Sequence, residues 1–282
     1  MIELASNRYG KAAIRIVRVG RDSTPHRLRD VTVAVALEGD FAAAHTDGDN
    51  SLVVATDTMK NTAYAFAAEY LTGPIEAYAS ALAGHFLQFD QVDRAIVNVR
   101  EHDWRSIDAG GTKAEGAFLR SSEGTRVATV AVGRDETVIE AGIEDLVVMK
   151  TTRSAFSGFP RDRFTTLADT EDRLMATKLT AIWTYGAPEF DFDAVWSAVR
   201  GTLLEVFAEH DSESVQHSIW IMGKAMLERH DELDEVRMVL PNLHHWTVDL
   251  GQFGIDNDRL VYVSTTEPHG LIEATIRRSE VS

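Results

Sequence analysis

The sequence predicts an α+β protein built from antiparallel sheets with helices packed on one face. Three observations support this fold class. Apolar residues alternate along several segments, apolar stripes recur at spacings of three and four along others, and the order of strands, helix pair and strands occurs twice in 282 residues. We therefore expect a duplicated unit, with one domain over residues 1–138 and a second over 139–282.

The first half opens with strands. In the stretch 28–39, valine or leucine occupies every second position from Val31 to Leu37, which is the period of a strand. Two helices follow at 58–69 and 75–88, the second beginning after Pro74, a residue suited to a first helical turn. The strands expected in this half are 11–20, 28–39, 91–103, 115–120 and 125–140.

The second half repeats this order. A helix is expected over 191–209, where Val195, Val199, Leu203 and Phe207 form one apolar stripe. The other helix is expected over 214–230, with Ser212 or Ser214 as its N-cap. The strands expected in this half are 144–152, 175–186, 235–250, 259–264 and 271–277.

The charge and composition exclude several classes of function. The chain has 44 acidic against 28 basic residues and a formal charge of −16, so it repels phosphate backbones and anionic lipid. Nucleic-acid and membrane partners are therefore not expected. The absence of cysteine excludes disulfides, thiolate nucleophiles and thiolate metal sites.

The chain carries no recognisable targeting or cofactor signal. It lacks a secretory leader, an apolar run of about 20 residues and a C-terminal Ser-Lys-Leu address, so we expect a cytoplasmic protein. No phosphate-binding loop, GxGxxG, GxSxG or HExxH pattern is present. His244 and His245 are adjacent, and neighbours in a strand point to opposite faces, so they are poorly placed to bind one metal.

Four segments place polar residues beside apolar runs, and each also has an ordinary structural interpretation. In the run 50–61, Thr56, Asp57 and Thr58 are suitable helix N-caps. The stretch 156–167 could be a packed loop. Arg173 could be a surface charge and Gln216 a solvated helix residue.

Together, these segments resemble the urate oxidase family, and the run Val53–Thr62 (VVATDTMKNT) is its most specific part. The similarity spans nearly the whole chain. Its other motifs are Tyr9-Gly10-Lys11, Gly39-Asp40-Phe41, His45, Gly158-Phe159, Arg161-Asp162, Thr165-Thr166-Leu167, Asp172-Arg173, Val215-Gln216, Pro241-Asn242, His244 and Gly270-Leu271-Ile272. The resemblance implies two tandem tunnelling-fold (T-fold) domains, a homotetramer enclosing a tunnel, and no metal or organic cofactor.

The resemblance also implies the residues that hold the substrate. Phe156 matches the residue that stacks on the purine ring, while Arg173 and Gln216 match the pair of residues that binds the pyrimidine edge of this ring. Val215 would offer its backbone N–H to the ring beside Gln216, and Asn242 matches the asparagine that lies over the ring where dioxygen and then water bind.

A second group of residues would move protons. Lys11, Thr56 and His244 match a proton-relay triad, and Asp57 matches a further backbone contact to the purine. By the same resemblance, Lys11, Thr56 and Asp57 come from the neighbouring subunit. The implied reaction is the oxidation of urate by dioxygen to 5-hydroxyisourate and hydrogen peroxide.

The chain departs from the family at two positions, and two other functions remain open. Leu243 replaces a basic residue found in several relatives, and His217 follows Gln216 at a variable position. One alternative is another T-fold enzyme acting on purines or pterins, although such enzymes usually bind the ring through a glutamate, where this chain has Gln216. The other is a purine-binding homologue without catalysis, which would have lost the relay residues.

Overall fold

The computed structural model describes residues 2–279, which form ten strands, five α-helices and one short 3-10 helix. In chain order these are β1 (Tyr9–Gly20), β2 (Arg27–Gly39), α1 (Ala42–Thr46), α2 (Thr56–Tyr70), α3 (Ile75–Phe86), β3 (Val92–Glu101), β4 (Trp104–Asp108), β5 (Lys113–Arg120), β6 (Thr125–Gly133), β7 (Thr137–Lys150), β8 (Met175–Tyr185), α4 (Phe192–Glu209), α5 (Val215–Arg229), β9 (Leu233–Thr247), the 3-10 helix Gly251–Phe253 and β10 (Tyr262–Arg277). The chain divides into two compact units. One runs to Gly142 and includes Thr184–Trp196, and the other holds Ile143–Trp183 and continues from Ser197.

The first unit contains an antiparallel sheet with the strand order β1-β2-β3-β6. The alternation predicted for β2 is confirmed, because Val31, Val33, Val35 and Leu37 are all buried. Helix α2 packs against β1, and α3 packs against β3 and β6. Strands β4 and β5 form a separate two-stranded sheet.

The first long helix of this unit, α2, begins differently from our expectation. The N-cap of α2 is Ala55, which provides no side-chain cap, so the interpretation of Thr56, Asp57 or Thr58 as an N-cap is wrong. These side chains are left available for other contacts. The second long helix, α3, begins at Ile75 as predicted, and Pro74 is its N-cap rather than a residue of its first turn.

The second unit holds most of β7 and β8 together with β9 and β10, in the strand order β7-β8-β9-β10, with β9 and β10 antiparallel. Helix α5 packs against β9 and β10. Gly223 lets α5 lie close to β10, because a Cβ at this position would lie 2.7 Å from Cδ1 of Ile276. The expected N-cap of α5 is confirmed at Ser214, whose Oγ accepts a hydrogen bond from the N–H of His217 at 3.1 Å.

Some strand boundaries differ from those predicted. The expected strand 125–140 is broken after Gly133, whose N–H donates to the carbonyl of Glu136 in a tight turn. The expected strand 259–264 begins later, at Tyr262, and it joins segment 271–277 in one strand, β10. The register of β10 with β9 shifts between Thr265 and Gly270. No helix within residues 2–279 is both long enough and apolar enough to cross a bilayer.

Candidate active site

A cavity of about 600 Å³ lies in the second unit, and Phe156, Arg173, Asn242 and His244 are among the residues that line it. Phe156 belongs to the long segment between β7 and β8, and Arg173 lies two residues before β8 begins. Asn242 and His244 are two residues apart on β9, so both side chains can face the same side of this strand. Residues distant in sequence therefore meet around one space.

Backbone hydrogen bonds hold Phe156 at the cavity. Its N–H donates to the carbonyl of Thr170 at 2.8 Å, and the N–H of Thr170 donates back at 3.0 Å. The preceding residue, Ala155, donates its N–H to the carbonyl of Ser212 at 2.7 Å. These bonds fix the backbone on both sides of the phenyl ring, although the surrounding segment is irregular.

Arg173 lies beside this ring with an unused donor. Its guanidinium carbon is 5.1 Å from the ring centroid of Phe156, and its backbone N–H donates to the carbonyl of Ser154 at 2.8 Å. The Nε of Arg173 is buried and has no hydrogen-bond partner within the described residues. Burial lowers the pKa of the Arg173 guanidinium, but an arginine remains charged in proteins. A half-buried cation with a buried donor that has no partner favours an anionic ligand.

Asp172, which precedes Arg173, forms hydrogen bonds that hold the local backbone in place. Its carboxylate accepts hydrogen bonds from the hydroxyl of Thr152 at 3.1 Å and from the N–H of Ser154 at 3.4 Å. Its carbonyl accepts from the guanidinium of Arg259 at 2.7 Å. Asp172 therefore anchors the backbone that carries Arg173.

His244 is held in an aromatic contact that the sequence analysis missed. Its ring stacks with that of Trp246, with centroids 5.4 Å apart and planes inclined by 20°, and Trp246 also lines the cavity. The available signal was their spacing of two residues on one strand. Burial lowers the pKa of His244, and the charge of Arg173 adds to this effect. A neutral imidazole is thereby favoured, and this form can accept a proton.

Two of the predicted ligand-binding residues do not line this cavity. Val215, which is buried, and Gln216, which is exposed, are the first residues of α5. They follow Ser212, which forms a parallel bridge with Ser154. The start of α5 is therefore tied to the strand segment that leads into Phe156.

The remaining predicted residues, Lys11, Thr56 and Asp57, lie in the first unit. Lys11 is on β1, and Thr56 and Asp57 begin α2, which packs against β1. The Asp57 carboxylate pairs with Lys60 and accepts a hydrogen bond from Nδ2 of Asn61 at 3.0 Å. Lys60 lowers the pKa of Asp57 most strongly, and the charge of Lys11 contributes to the same shift.

Comparison with known proteins identifies the family. The family model described as Uricase matches residues 7–131 and 139–273. The chain belongs to the uricase family. It is 45% identical to the uricase of Arthrobacter globiformis over 98% of this chain and 90% of that protein. It is 38% identical to the uricase of Dictyostelium discoideum over 99% of both chains.

A solved structure gives the same result for the fold. The crystal structure of uricase from Arthrobacter globiformis matches with a TM-score of 0.94 and 44% identity, over 100% of this chain and 98% of that one. The predicted α+β T-fold and the resemblance to urate oxidases are confirmed. The roles assigned to individual residues remain predictions. Within residues 2–279, no group of three or more histidine or acidic side chains is placed to hold a metal ion.

Proposed function

We propose that this chain oxidises urate with dioxygen and water, without a metal or organic cofactor, and releases 5-hydroxyisourate and hydrogen peroxide as a step of purine catabolism. The observation that carries the proposal is the pairing of Phe156 and Arg173 in one cavity. An aromatic face beside a half-buried guanidinium complements a flat anion, and urate is a flat anion near neutral pH.

Each binding residue supplies a different contact. Stacking on Phe156 contributes about 0.5–1.5 kcal/mol and fixes the plane of the ring. Arg173 supplies charge and parallel N–H donors. The amide of Gln216 supplies one donor and one acceptor for the mixed edge of a lactam, and Val215 offers its N–H beside it. The local cation explains how a chain of charge −16 can hold an anion.

The substrate itself provides the electrons. Removal of a proton makes urate electron-rich enough to give two electrons to dioxygen, which takes up two protons and leaves as hydrogen peroxide. Water then adds its oxygen to the oxidised ring as a hydroxyl group. Lys11, Thr56 and His244 would carry the protons, Asp57 would give a further backbone contact to the ring, and Asn242 would hold dioxygen and then water.

We further propose a homotetramer in the cytoplasm, whose active sites form between subunits. Support comes from the distribution of the residues. The ring-binding side chains belong to the second unit, whereas Lys11, Thr56 and Asp57 belong to the first. Gln216 in place of a glutamate argues against a pterin enzyme, and the filled relay positions argue against a non-catalytic homologue.

The test is to mix the purified protein with urate and follow the loss of ultraviolet absorbance, with hydrogen peroxide and dioxygen measured in parallel. We expect one peroxide released and one dioxygen consumed for each urate, with no change after exhaustive chelation. The Arg173→Ala variant is the control for contaminating activity. No loss of urate, or activity that chelation abolishes and one added metal restores, would contradict the proposal.

A further inference from the structure

We infer that Tyr9 is a positioning residue that holds Lys11 in place relative to Thr56, an inference that rests on the proposed function. The Tyr9 hydroxyl donates a hydrogen bond to the carbonyl of Val54 at 3.1 Å. The same oxygen accepts a hydrogen bond from the N–H of Val54 at 2.8 Å. One side chain thus satisfies both polar groups of a peptide residue that lies 45 positions away in the chain.

The position of these bonds gives them their effect. Tyr9 lies two residues before Lys11 on β1, and Val54 lies two residues before Thr56, with Ala55 as the N-cap of α2 between them. The bonds therefore fix the separation between the two segments that end in the proposed relay residues. This explains how α2 begins without a side-chain cap, because the segment that leads into it is held from β1.

The Tyr9 ring is itself well supported. It packs edge-on against Phe41, with ring centroids 4.7 Å apart and planes at 83°, and Phe41 is only 1% exposed. Burial raises the pKa of Tyr9. The hydroxyl therefore remains protonated and can donate to Val54 at the pH of catalysis.

The backbone on either side of Lys11 shows why an anchor is needed. Gly10 lies against β2 so closely that a Cβ there would be 1.9 Å from the carbonyl oxygen of Val35. After Lys11 the register with β2 shifts before Ile14, and Ala13 has φ of 56°. Lys11 therefore sits at the edge of a bulge, where the ladder no longer fixes the chain on its C-terminal side. Tyr9 and Gly10 hold it from the N-terminal side.

The test compares Tyr9→Phe, which removes only the hydroxyl, with Tyr70→Phe, which changes an exposed tyrosine at the far end of α2. We expect Tyr9→Phe to lower kcat about tenfold or more with less than about a twofold change in KM, since displacement of a catalytic group by about 1 Å costs rates of this order. Tyr70→Phe should match the wild type. An unchanged kcat in Tyr9→Phe would overturn the inference.

A second comparison separates positioning from a general effect on folding. If Tyr9 acts through Lys11, the hydroxyl has no further effect once Lys11 is removed, so Lys11→Met and Lys11→Met with Tyr9→Phe should have the same residual rate. Independent losses that multiply would contradict positioning. A wild-type protein that does not oxidise urate would instead reject the proposed function.

If Tyr9→Phe does not fold, Phe41→Leu provides the test, because it loosens the Tyr9 ring and keeps its hydroxyl. Its kcat should fall severalfold while KM is unchanged. An unchanged kcat in this variant would overturn the inference as well.

Discussion

The ring of Phe159 lies flat against the ring of Phe156, with centroids 4.9 Å apart and planes inclined by 13°. The guanidinium carbon of Arg161 is 4.7 Å from the centroid of Phe159. Arg161 is held in turn by Asp169 at 3.2 Å and by the carbonyl of Leu167 at 2.9 Å. Phe156 lines the cavity and Phe159 does not, so Phe159 supports the ring on which urate would stack.

Replacing Phe159 by alanine should raise KM for urate about two- to tenfold, because an aromatic pair of this kind contributes about 0.5–1.5 kcal/mol. The effect on kcat should be smaller, since the residues of the proposed proton relay are left intact. Steady-state kinetics will measure both. Phe164→Ala is the matched control, because this ring lies in the same segment and is 72% exposed. An equal KM in Phe159→Ala and the control would refute the supporting role.

Removal of Arg173 should weaken urate binding by about 2–5 kcal/mol, because it would remove the proposed charge-assisted contact of a half-buried guanidinium. Arg173→Lys should recover only part of the lost binding free energy, since lysine keeps the charge but lacks the planar, parallel N–H donors of a guanidinium. Equilibrium binding without dioxygen measures affinity free of turnover. Arg163→Ala, an exposed arginine of the neighbouring segment, should bind as the wild type does. Unchanged affinity in Arg173→Ala would mean that this guanidinium does not contact urate.

Gly10→Ala should destabilise the fold by about 1–3 kcal/mol, because the new methyl group would overlap the Val35 carbonyl. Gly84→Ala is the control. It lies within α3 with no heavy atom within 4 Å of the added Cβ, and alanine there should stabilise the helix by about 0.5–1 kcal/mol. Denaturant unfolding measures both. Equal stabilities for Gly10→Ala and the wild type would contradict the close approach of β1 and β2.

Acidification should destabilise the protein through His210. Its Nδ1 is 2.7 Å from the carbonyl of Val206 and its Nε2 is 2.8 Å from the hydroxyl of Ser218. Burial lowers the pKa of His210, and the charge of Lys150 adds to this shift. The unfolded chain therefore takes up the proton first. The contribution of neutral His210 to the free energy of unfolding is complete above the pKa of about 6.5 that histidine has in the unfolded chain. This contribution is lost as the pH falls through the lower pKa of His210 in the folded state.

Melting temperatures measured from neutral pH downward will test this dependence. His210→Gln should flatten the decline below about pH 6.5, whereas His45→Gln, at an exposed position, should leave it unchanged. The same slope in all three proteins would show that His210 is not the responsible group.

Local sequence patterns were sufficient to predict much of the fold. The alternation around Val33 and the serine at position 214 each identified an element from neighbouring residues alone. The start of α2 could not be obtained in this way. Capping preferences favoured Thr56 or Asp57, whereas Ala55 is the N-cap, next to a residue tied to Tyr9 from another part of the chain.

The candidate site shows the same limit. Family resemblance selected Phe156, Arg173, Asn242 and His244, and these residues do line one cavity. Periodicity alone could not have grouped them, since they lie on separate segments. The supporting contacts of Phe159 and Trp246 depend on how side chains stack in three dimensions.

The central claim is that Lys11 of one chain acts on urate held by Arg173 of another. Lys11→Met and Arg173→Ala should each be nearly inactive, and the two proteins are unfolded and refolded together, with mixed oligomers confirmed by mass. Shared sites predict recovery to about a quarter of the wild-type rate, because random mixing of chains in a symmetric oligomer leaves that fraction of sites intact. Sites confined to one chain predict no recovery, and absence of rescue in confirmed mixed oligomers would contradict the account.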